Sequence, residues 1–406
     1  MDDKVLISII VPTRNRAEYA LSAVKQILSI ENDSIQAVIQ DNSNDKSLEK
    51  MLIPYSGDKR LKYNYSPEIL SFVDNFGIAV SLADGEYICI IGDDDGVNPE
   101  IVQLAKWASN NNVKAVKPEV QAVYFWPDAI SHSEKISMNN GCLTVSEISK
   151  EVRVADTSVE INKLLKNGFQ GYLSLDLVKL YHGLVKKECM NEIQKLTGAY
   201  FGGLSPDIYS AVALSILIPE VICIDYPITI PGICNKSGSA DSATGRHTGE
   251  LKDAPHLVGH KNYEWAKQIP SFYSVETIWA DSSIAALKDM RIGCLLKKFR
   301  LEALSVPCIK KYPQYKELII DHFIENNIGI MKVYKKMRLH LAKGYIPIMS
   351  IFERGLKRLK KGRKNIVKFY NISNISEAQK IFSEHLFSTE LNIRKVIDNI
   401  VDALRI

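Results

Sequence analysis

Ile90-Ile91-Gly92-Asp93-Asp94-Asp95 is the stretch that decides the reading of this chain. Three consecutive carboxylates stand at the end of an apolar run, Tyr87-Ile88-Cys89-Ile90-Ile91, whose composition predicts a buried strand. Like charges on adjacent residues repel, and hard oxygen ligands at the mouth of a sheet suit Mg²⁺ or Mn²⁺, above all a cation that also holds a diphosphate. The alternative is an acidic turn, since Asp and Gly are common turn formers.

Upstream, Val5-Leu6-Ile7-Ser8-Ile9-Ile10-Val11 has the same apolar, β-branched character, and Pro12-Thr13-Arg14-Asn15-Arg16 breaks it. Ala17 to Ile30 follows with Tyr19, Ala20, Ala23, Val24, Ile27 and Leu28 at three- and four-residue spacings, the pattern of a helix with one apolar face. A second strand, Ile35 to Ile39, runs into Gln40-Asp41-Asn42-Ser43-Asn44-Asp45. Two strand ends therefore carry polar residues, and in open α/β sheets ligands bind outside the carboxyl ends of the strands.

Four segments in this order resemble the inverting glycosyltransferases of family 2, which have the GT-A fold. They are Ser8 to Arg16, Asp41-Asn42-Ser43-Asn44-Asp45, Ala83-Asp84-Gly85-Glu86-Tyr87-Ile88, and Gly92-Asp93-Asp94-Asp95 with Pro99 beyond it. The likeness covers residues 4 to 120 best and thins towards residue 250. It implies that Pro12, Thr13 and Arg14 border a nucleotide base, that Asp41 accepts a hydrogen bond from it, and that uracil suits this position, with a UDP-sugar as the favoured donor. Many relatives carry an aromatic residue where Arg14 stands, so a guanidinium contact replaces stacking; helix capping is the other reading of Thr13 and Asn15.

The acidic triplet corresponds to the family's DxD element in one of two registers. Counting back from Pro99 aligns Gly92, Asp93 and Asp94 with it and makes Asp94 the direct metal ligand, whereas simple spacing selects Asp93 and Asp95. All three are expected in the site, Asp94 and Asp95 on the metal and Asp93 on the donor. Asn75, in a helix-like segment from Ile69 to Leu82, matches a position that faces the donor in relatives, with a solvated helix residue as the alternative.

Inversion needs a base beside the acceptor. Ser205-Pro206-Asp207 follows Gly202-Gly203, read as a flexible approach, and precedes an apolar helix-like run to Ile218. Asp207 is the expected base; its structural role would be a helix N-terminal acid. Gly232 to Ser239 and Gly245-Arg246-His247-Thr248-Gly249 read as a loop rich in small and polar residues that closes over the donor. By resemblance His247 completes the metal shell, with His256 and His260 as competitors, and Arg246 contacts the diphosphate.

Charge is unevenly distributed. Between Lys332 and Lys368 stand thirteen Lys or Arg and one acid, a net of +12 in a chain of +4, leaving −8 elsewhere. Apolar residues interleave with these charges, as in a segment that docks on an anionic membrane surface; a solvated helix packed on the catalytic domain is the alternative. Nucleic acid is not expected, because neither a recognisable module nor a repeated stacking pattern accompanies the charge. Ser274 to Leu304, Tyr315 to Leu341 and Ser376 to Leu404 predict helices. No signal peptide or membrane span is evident, and seven scattered cysteines suit a reducing cytoplasm.

The expectation is an α/β GT-A domain over 1–250 and a helical, basic region over 251–406. It would transfer a sugar, with inversion, from a nucleotide diphosphate sugar to a glycan or lipid-linked acceptor. By analogy the product belongs to bacterial O-antigen or capsule synthesis at the inner face of the cytoplasmic membrane. The oligomeric state, a homo-oligomer included, stays open. Two rivals are a nucleotidyltransferase of related fold, for which the Pro12 to Arg16 break lacks the expected glycines, and a noncatalytic glycan- or lipid-binding protein.

Overall fold

The computed structural model describes residues 4–129, 141–235, 248–260, 263–326 and 365–404. The first half alternates strands and helices: β1 (Ile7–Thr13), α1 (Ala17–Leu28), β2 (Ile35–Asp41), α2 (Ser47–Leu52), β3 (Leu61–Tyr65), α3 (Phe72–Leu82), β4 (Tyr87–Ile90), β5 (Gly96–Val97), α4 (Ile101–Asn110) and β6 (Ala115–Pro118). There follow β7 (Ala122–Phe125), β8 (Cys142–Ser146), β9 (Val152–Asp156), α5 (Thr157–Lys166), β10 (Leu184–Lys186), α6 (Lys187–Thr197), α7 (Pro206–Leu217) and β11 (Glu220–Ile224). The remainder comprises β12 (Thr229–Ile230), β13 (Gly232–Ile233), β14 (Thr248–Glu250), β15 (Phe272–Ser274), α8 (Val275–Asp289), α9 (Leu301–Lys311), α10 (Lys316–Glu325), β16 (Ile366–Phe369), α11 (Ile375–Ser388) and α12 (Ile393–Leu404).

The main sheet has the order β3-β2-β1-β4-β10-β6-β11-β9, and β3, β2, β1 and β4 run parallel. Side chains alternate across β1: Ile10 enters one core with Val38, Ile88 and Ile90, while Ile7, Ile9 and Val11 enter the other with Ala20, Val24 and Ile27. Burial on both faces is why these strands read as unbroken apolar runs. The α/β expectation holds. From β1 the chain steps outward to β2 and β3, then returns to the other side of β1 as β4. Strand order therefore reverses between β1 and β4, and the crevice beyond their carboxyl ends is the ligand position of such sheets.

Several boundaries differ from the sequence reading. Pro12 lies inside β1 rather than ending it: pairing with β4 stops at Ile10, so its missing N–H costs no ladder bond. The helix expected from Ser274 to Leu304 ends at Asp289, where Arg291 adopts a left-handed φ of 58°. The helix expected over 376–404 is two, separated at Glu390 with φ 54°. Of the basic segment, residues 332–364 lie outside the described residues, as does the end of the helix expected from Tyr315 to Leu341, and Ile366–Phe369 form an antiparallel strand on β8.

The last two helices belong to the core of the first half. Ile372, Ile375, Ala378, Phe382, Leu386, Ile393, Val396 and Ile400 are buried among the residues of β1, α1 and α4. The Tyr124 hydroxyl donates to the Ile372 carbonyl at 3.0 Å. Gly96 gives α11 room beside β5, since a Cβ there would lie 2.7 Å from Ile375 Cγ1. The buried Gln26 amide meets β5 as a strand would, donating to the Val97 carbonyl (3.0 Å) and accepting from its N–H (2.8 Å).

The Asp84-Gly85 turn into β4 is fixed by a polar chain: Ser8 Oγ donates to Gln36 Oε1 (2.7 Å), Gln36 Nε2 donates to Asp84 Oδ2 (2.7 Å), and the Gly85 N–H donates to Ser8 Oγ (2.8 Å). A Cβ at Gly85 would lie 2.5 Å from the Ser8 backbone nitrogen and 2.7 Å from the Tyr87 carbonyl oxygen, and neither is a flexible side chain. Gly85→Ala is therefore expected to cost about 2 kcal/mol or more by separating β4 from β1. Denaturant unfolding checks this; unchanged stability would mean that the β1–β4 junction is loosely packed.

Candidate active site

The site is built at the reversal point. Thr13 ends β1, and the three aspartates follow β4; Asp93, Asp94 and Asp95 are all buried. Thr13 Oγ1 donates to Asp93 Oδ2 at 2.6 Å, a charge-assisted bond across the crevice. Asp41, level with Thr13 on β2, is fully buried; its oxygens accept from the Ser43 N–H (2.8 Å) and the Tyr63 hydroxyl (3.0 Å). Pro12 is buried and Arg14 half-buried. Asn15 caps no helix: with a φ of 57° it accepts from the Asn44 N–H through Oδ1 (2.8 Å), tying the β1 and β2 loops together.

The residue that meets the triplet is Arg16. Its Nη1 stands 2.9 Å from Asp93 Oδ1, and its Nη2 stands 2.9 Å from both Asp94 Oδ2 and Cys234 Sγ. Its guanidinium carbon lies 5.3 Å from the centre of the Tyr19 ring. Burial disfavours the guanidinium charge, but Asp93 and Asp94 outweigh it and raise the Arg16 pKa. In turn, burial pushes the Asp93 carboxyl above the usual range, with Arg16 and Thr13 opposing and Asp94 adding to the shift.

Asp95 has different neighbours. The Gly92 N–H donates to Oδ2 and the Gly232 N–H to Oδ1, both at 2.6 Å, and the Tyr181 hydroxyl donates to Oδ2 at 3.3 Å. Burial and the neighbouring Asp94 raise its pKa against these two N–H groups. His182 Nε2 is 3.5 Å from Asp95 Oδ2, and Nδ1 lies 3.0 Å from Thr229 Oγ1. Burial lowers the His182 pKa to about 3, so the ring is neutral at physiological pH. Trp126 Nε1 closes the floor by donating to the Asp94 carbonyl at 2.9 Å.

Tyr181 and His182 come to the triplet through a parallel bridge between Tyr181 and Ile90, where the His182 N–H donates to the Ile90 carbonyl at 2.9 Å. Burial, then the charges of Asp95, Asp207, Asp94 and Asp93, raise the Tyr181 pKa. Asp207 lies in the first turn of α7. Burial raises its pKa to about 6, with Lys179 opposing. The preceding glycines are not a flexible approach: a Cβ at Gly203 would lie 2.8 Å from Ser282 Cα, and Ser282 Oγ accepts from the N–H groups of Leu204 and Ser205.

Of the remaining expected residues, Asn75 is buried on α3, and its Oδ1 has no hydrogen-bond partner among the described residues. Arg246 and His247 lie outside the described residues. Gly232 and Ile233, expected to begin a loop, form β13 on β7. A Cβ at Gly232 would lie 1.8 Å from the Asp94 carbonyl oxygen, so only glycine allows this approach. His256 stacks on Phe72 (5.1 Å between centres) and His260 meets the edge of Tyr263 (5.3 Å).

Among the described residues no group of three or more His, Cys, Asp or Glu side chains is arranged to hold a metal ion. The donor chemistry nevertheless fits a hard divalent cation. Among the described residues, Asp93 Oδ1 and Asp94 Oδ2 are buried carboxylate oxygens that accept no well-formed hydrogen bond and stand 2.9 Å from Arg16. Sequence reasoning assigns no role to Arg16, Tyr181 or His182; only the position of Arg16 within the polar break after β1 points to it.

Thr13→Val keeps the shape of the side chain and removes the donor to a buried carboxylate, so it should cost about 1.5–3 kcal/mol, whereas Thr13→Ser should cost much less. Chemical unfolding of both variants measures the difference; equal losses would show that Thr13 contributes packing alone.

The sequence profile of glycosyl transferase family 2 matches residues 8–153, which contain β1, β2, β4 and the acidic triplet. No curated protein matches the chain. Among solved structures, S. aureus TarS 1-349 in complex with UDP-GlcNAc is 14% identical with a TM-score of 0.41, over 56% of this chain and 58% of that one. The chain thus spans less than two thirds of that relative. The same protein in complex with UDP is 12% identical with a TM-score of 0.43, over 84% of this chain and 93% of that one. The mixed sheet with parallel strands β3-β2-β1-β4, the crevice at its reversal point and the profile match agree, and residues 8–153 are a glycosyl transferase family 2 domain of the GT-A type.

Proposed function

We propose that this protein is an inverting glycosyltransferase that takes a sugar from a nucleotide diphosphate sugar, a UDP-sugar in the first instance, to a hydroxyl of a glycan or lipid-linked acceptor. The observation that carries the reading is the family 2 profile match whose buried acidic triplet stands at the reversal point of the sheet, with Asp207 in the first turn of α7 as the candidate base. A nucleotidyltransferase needs no base at Asp207, and a noncatalytic binder needs neither group.

In this reading the nucleotide lies over the ends of β1 and β2, bordered by Pro12, Thr13 and Arg14 and within reach of Asp41, while Asn75 Oδ1 offers a buried acceptor to the donor. Asp93 and Asp94 would hold a divalent cation, which neutralises the charge that builds on the departing diphosphate. Asp207 takes the proton of the attacking acceptor hydroxyl. Its raised pKa suits the role, since a base near neutrality accepts a proton more readily than an ordinary carboxylate while still being ionised at pH 7.

Turnover with a UDP-sugar panel and Mn²⁺ tests the assignment. Asp207→Asn should lower kcat about 10²-fold or more with little change in donor affinity, and Asp94→Asn should remove turnover while leaving a folded protein. Because Asp207 must be ionised to act, kcat/KM should fall as pH drops through about 6 and level off above it. An acid limb unchanged in Asp207→Asn, or full turnover in that variant, would remove Asp207 from the chemistry. Failure of every nucleotide sugar to raise the thermal midpoint, at concentrations where a bound ligand adds about 2.7 kcal/mol, would count against the donor class.

A further inference from the structure

Arg16 occupies the two oxygens that a divalent cation would need. Asp93 Oδ1 and Asp94 Oδ2 each face one of its terminal nitrogens at 2.9 Å, and among the described residues both oxygens are otherwise without a well-formed hydrogen bond. Two buried carboxylates cannot stay ionised side by side without a countercharge. A guanidinium supplies one unit of charge in a fork that reaches both. A divalent cation supplies two and neutralises the pair outright. The two cannot hold the same oxygens together, because their mutual repulsion is strong where water is excluded.

Arg16 also has somewhere to go. Its guanidinium already lies 5.3 Å from the Tyr19 ring centre and 2.9 Å, through Nη2, from Cys234 Sγ, so release from the carboxylates still leaves it these two contacts. There its charge is no longer cancelled and can pair with an anionic ligand. Asp95 takes no part in this exchange, since its oxygens are engaged by the N–H groups of Gly92 and Gly232.

We infer that Arg16 is an exchangeable internal counterion: it holds Asp93 and Asp94 in the metal-free protein, yields them to a divalent cation, and then turns its released charge to the diphosphate of the donor. This rests on the proposed use of a metal and a nucleotide sugar, and it makes Arg16 a positioning residue that couples the two binding events. Metal and nucleotide should then bind cooperatively, because the metal frees the positive charge that the nucleotide uses and the nucleotide stabilises the displaced state.

The test is titration of the full-length protein with Mn²⁺ alone, followed by free-Mn²⁺ paramagnetic resonance, with and without UDP. Removing the competitor in Arg16→Gln should tighten binding of Mn²⁺ alone by about tenfold or more, abolish most of the mutual enhancement between Mn²⁺ and UDP, and lower the thermal midpoint in chelator more than in saturating Mn²⁺. Arg16→Lys, which keeps the charge but loses the fork, should fall between wild type and Arg16→Gln, and it preserves the test if Arg16→Gln does not fold. Mn²⁺ affinity that is unchanged or weaker in both variants overturns the exchange and leaves glycosyl transfer standing. No Mn²⁺ binding by any form, even with UDP, overturns the metal reading and the exchange with it.

Discussion

Burying three adjacent carboxylates at the end of a strand is the constraint on which the rest of this structure depends. Each needs donors or a countercharge, and the chain supplies them from distant segments. Asp93 takes Thr13 from the neighbouring strand and one nitrogen of Arg16, Asp94 takes the other, and Asp95 takes two backbone N–H groups. Such contacts require β1, β4 and β13 to meet within a few ångströms. The glycine at 232 makes that approach possible, since a side chain there would collide with the Asp94 carbonyl.

The acidic centre also organises what lies below it. Trp126 Nε1 fastens the Asp94 backbone to the end of β7, and β7 is joined through β8 to β16 in a four-stranded sheet of order β13-β7-β8-β16. From β16 the chain runs to α11 and α12, which bury their apolar faces against the same core as β1 and α1. A contiguous set of packed elements therefore links the triplet to the end of the described chain. Elsewhere, buried charges are matched locally: Lys117, almost wholly enclosed, is held by Glu119 and Asp176, which Arg153 also meets from the partly exposed side. Such fully paired networks hold strands in register and offer no group for chemistry.

The sequence is most legible where local composition and global burial agree. Strands β1, β2 and β4 are enclosed on both faces, so apolarity alone marks them, and a run of acids at the end of one stands out. The helix start at Asp207 is legible because it is a local pattern. Arg16 is not: its contact with the triplet depends on the left-handed turn at Asn15 and on a strand seventy residues away. Tyr181 and His182 arrive through a single bridge to Ile90, which leaves no periodic trace. Gly202-Gly203 looks flexible in one dimension because the reason for Gly203, the backbone of α8, lies elsewhere in the chain. Likewise β16 forms in a basic stretch because β8 offers it an edge, an outcome set by the partner more than by strand propensity.

Packing of Ile375, Phe382, Ile393 and Val396 against α1 and α4 has a consequence for how the protein is made. The strands β1, β2 and β4 leave the ribosome early, yet one face of their core stays open until residues nearly three hundred positions after β4 emerge. At ordinary synthesis rates that interval is on the order of tens of seconds. During it, α1 and α4 leave apolar surface uncovered, and the core of the first half closes only once α11 and α12 have emerged.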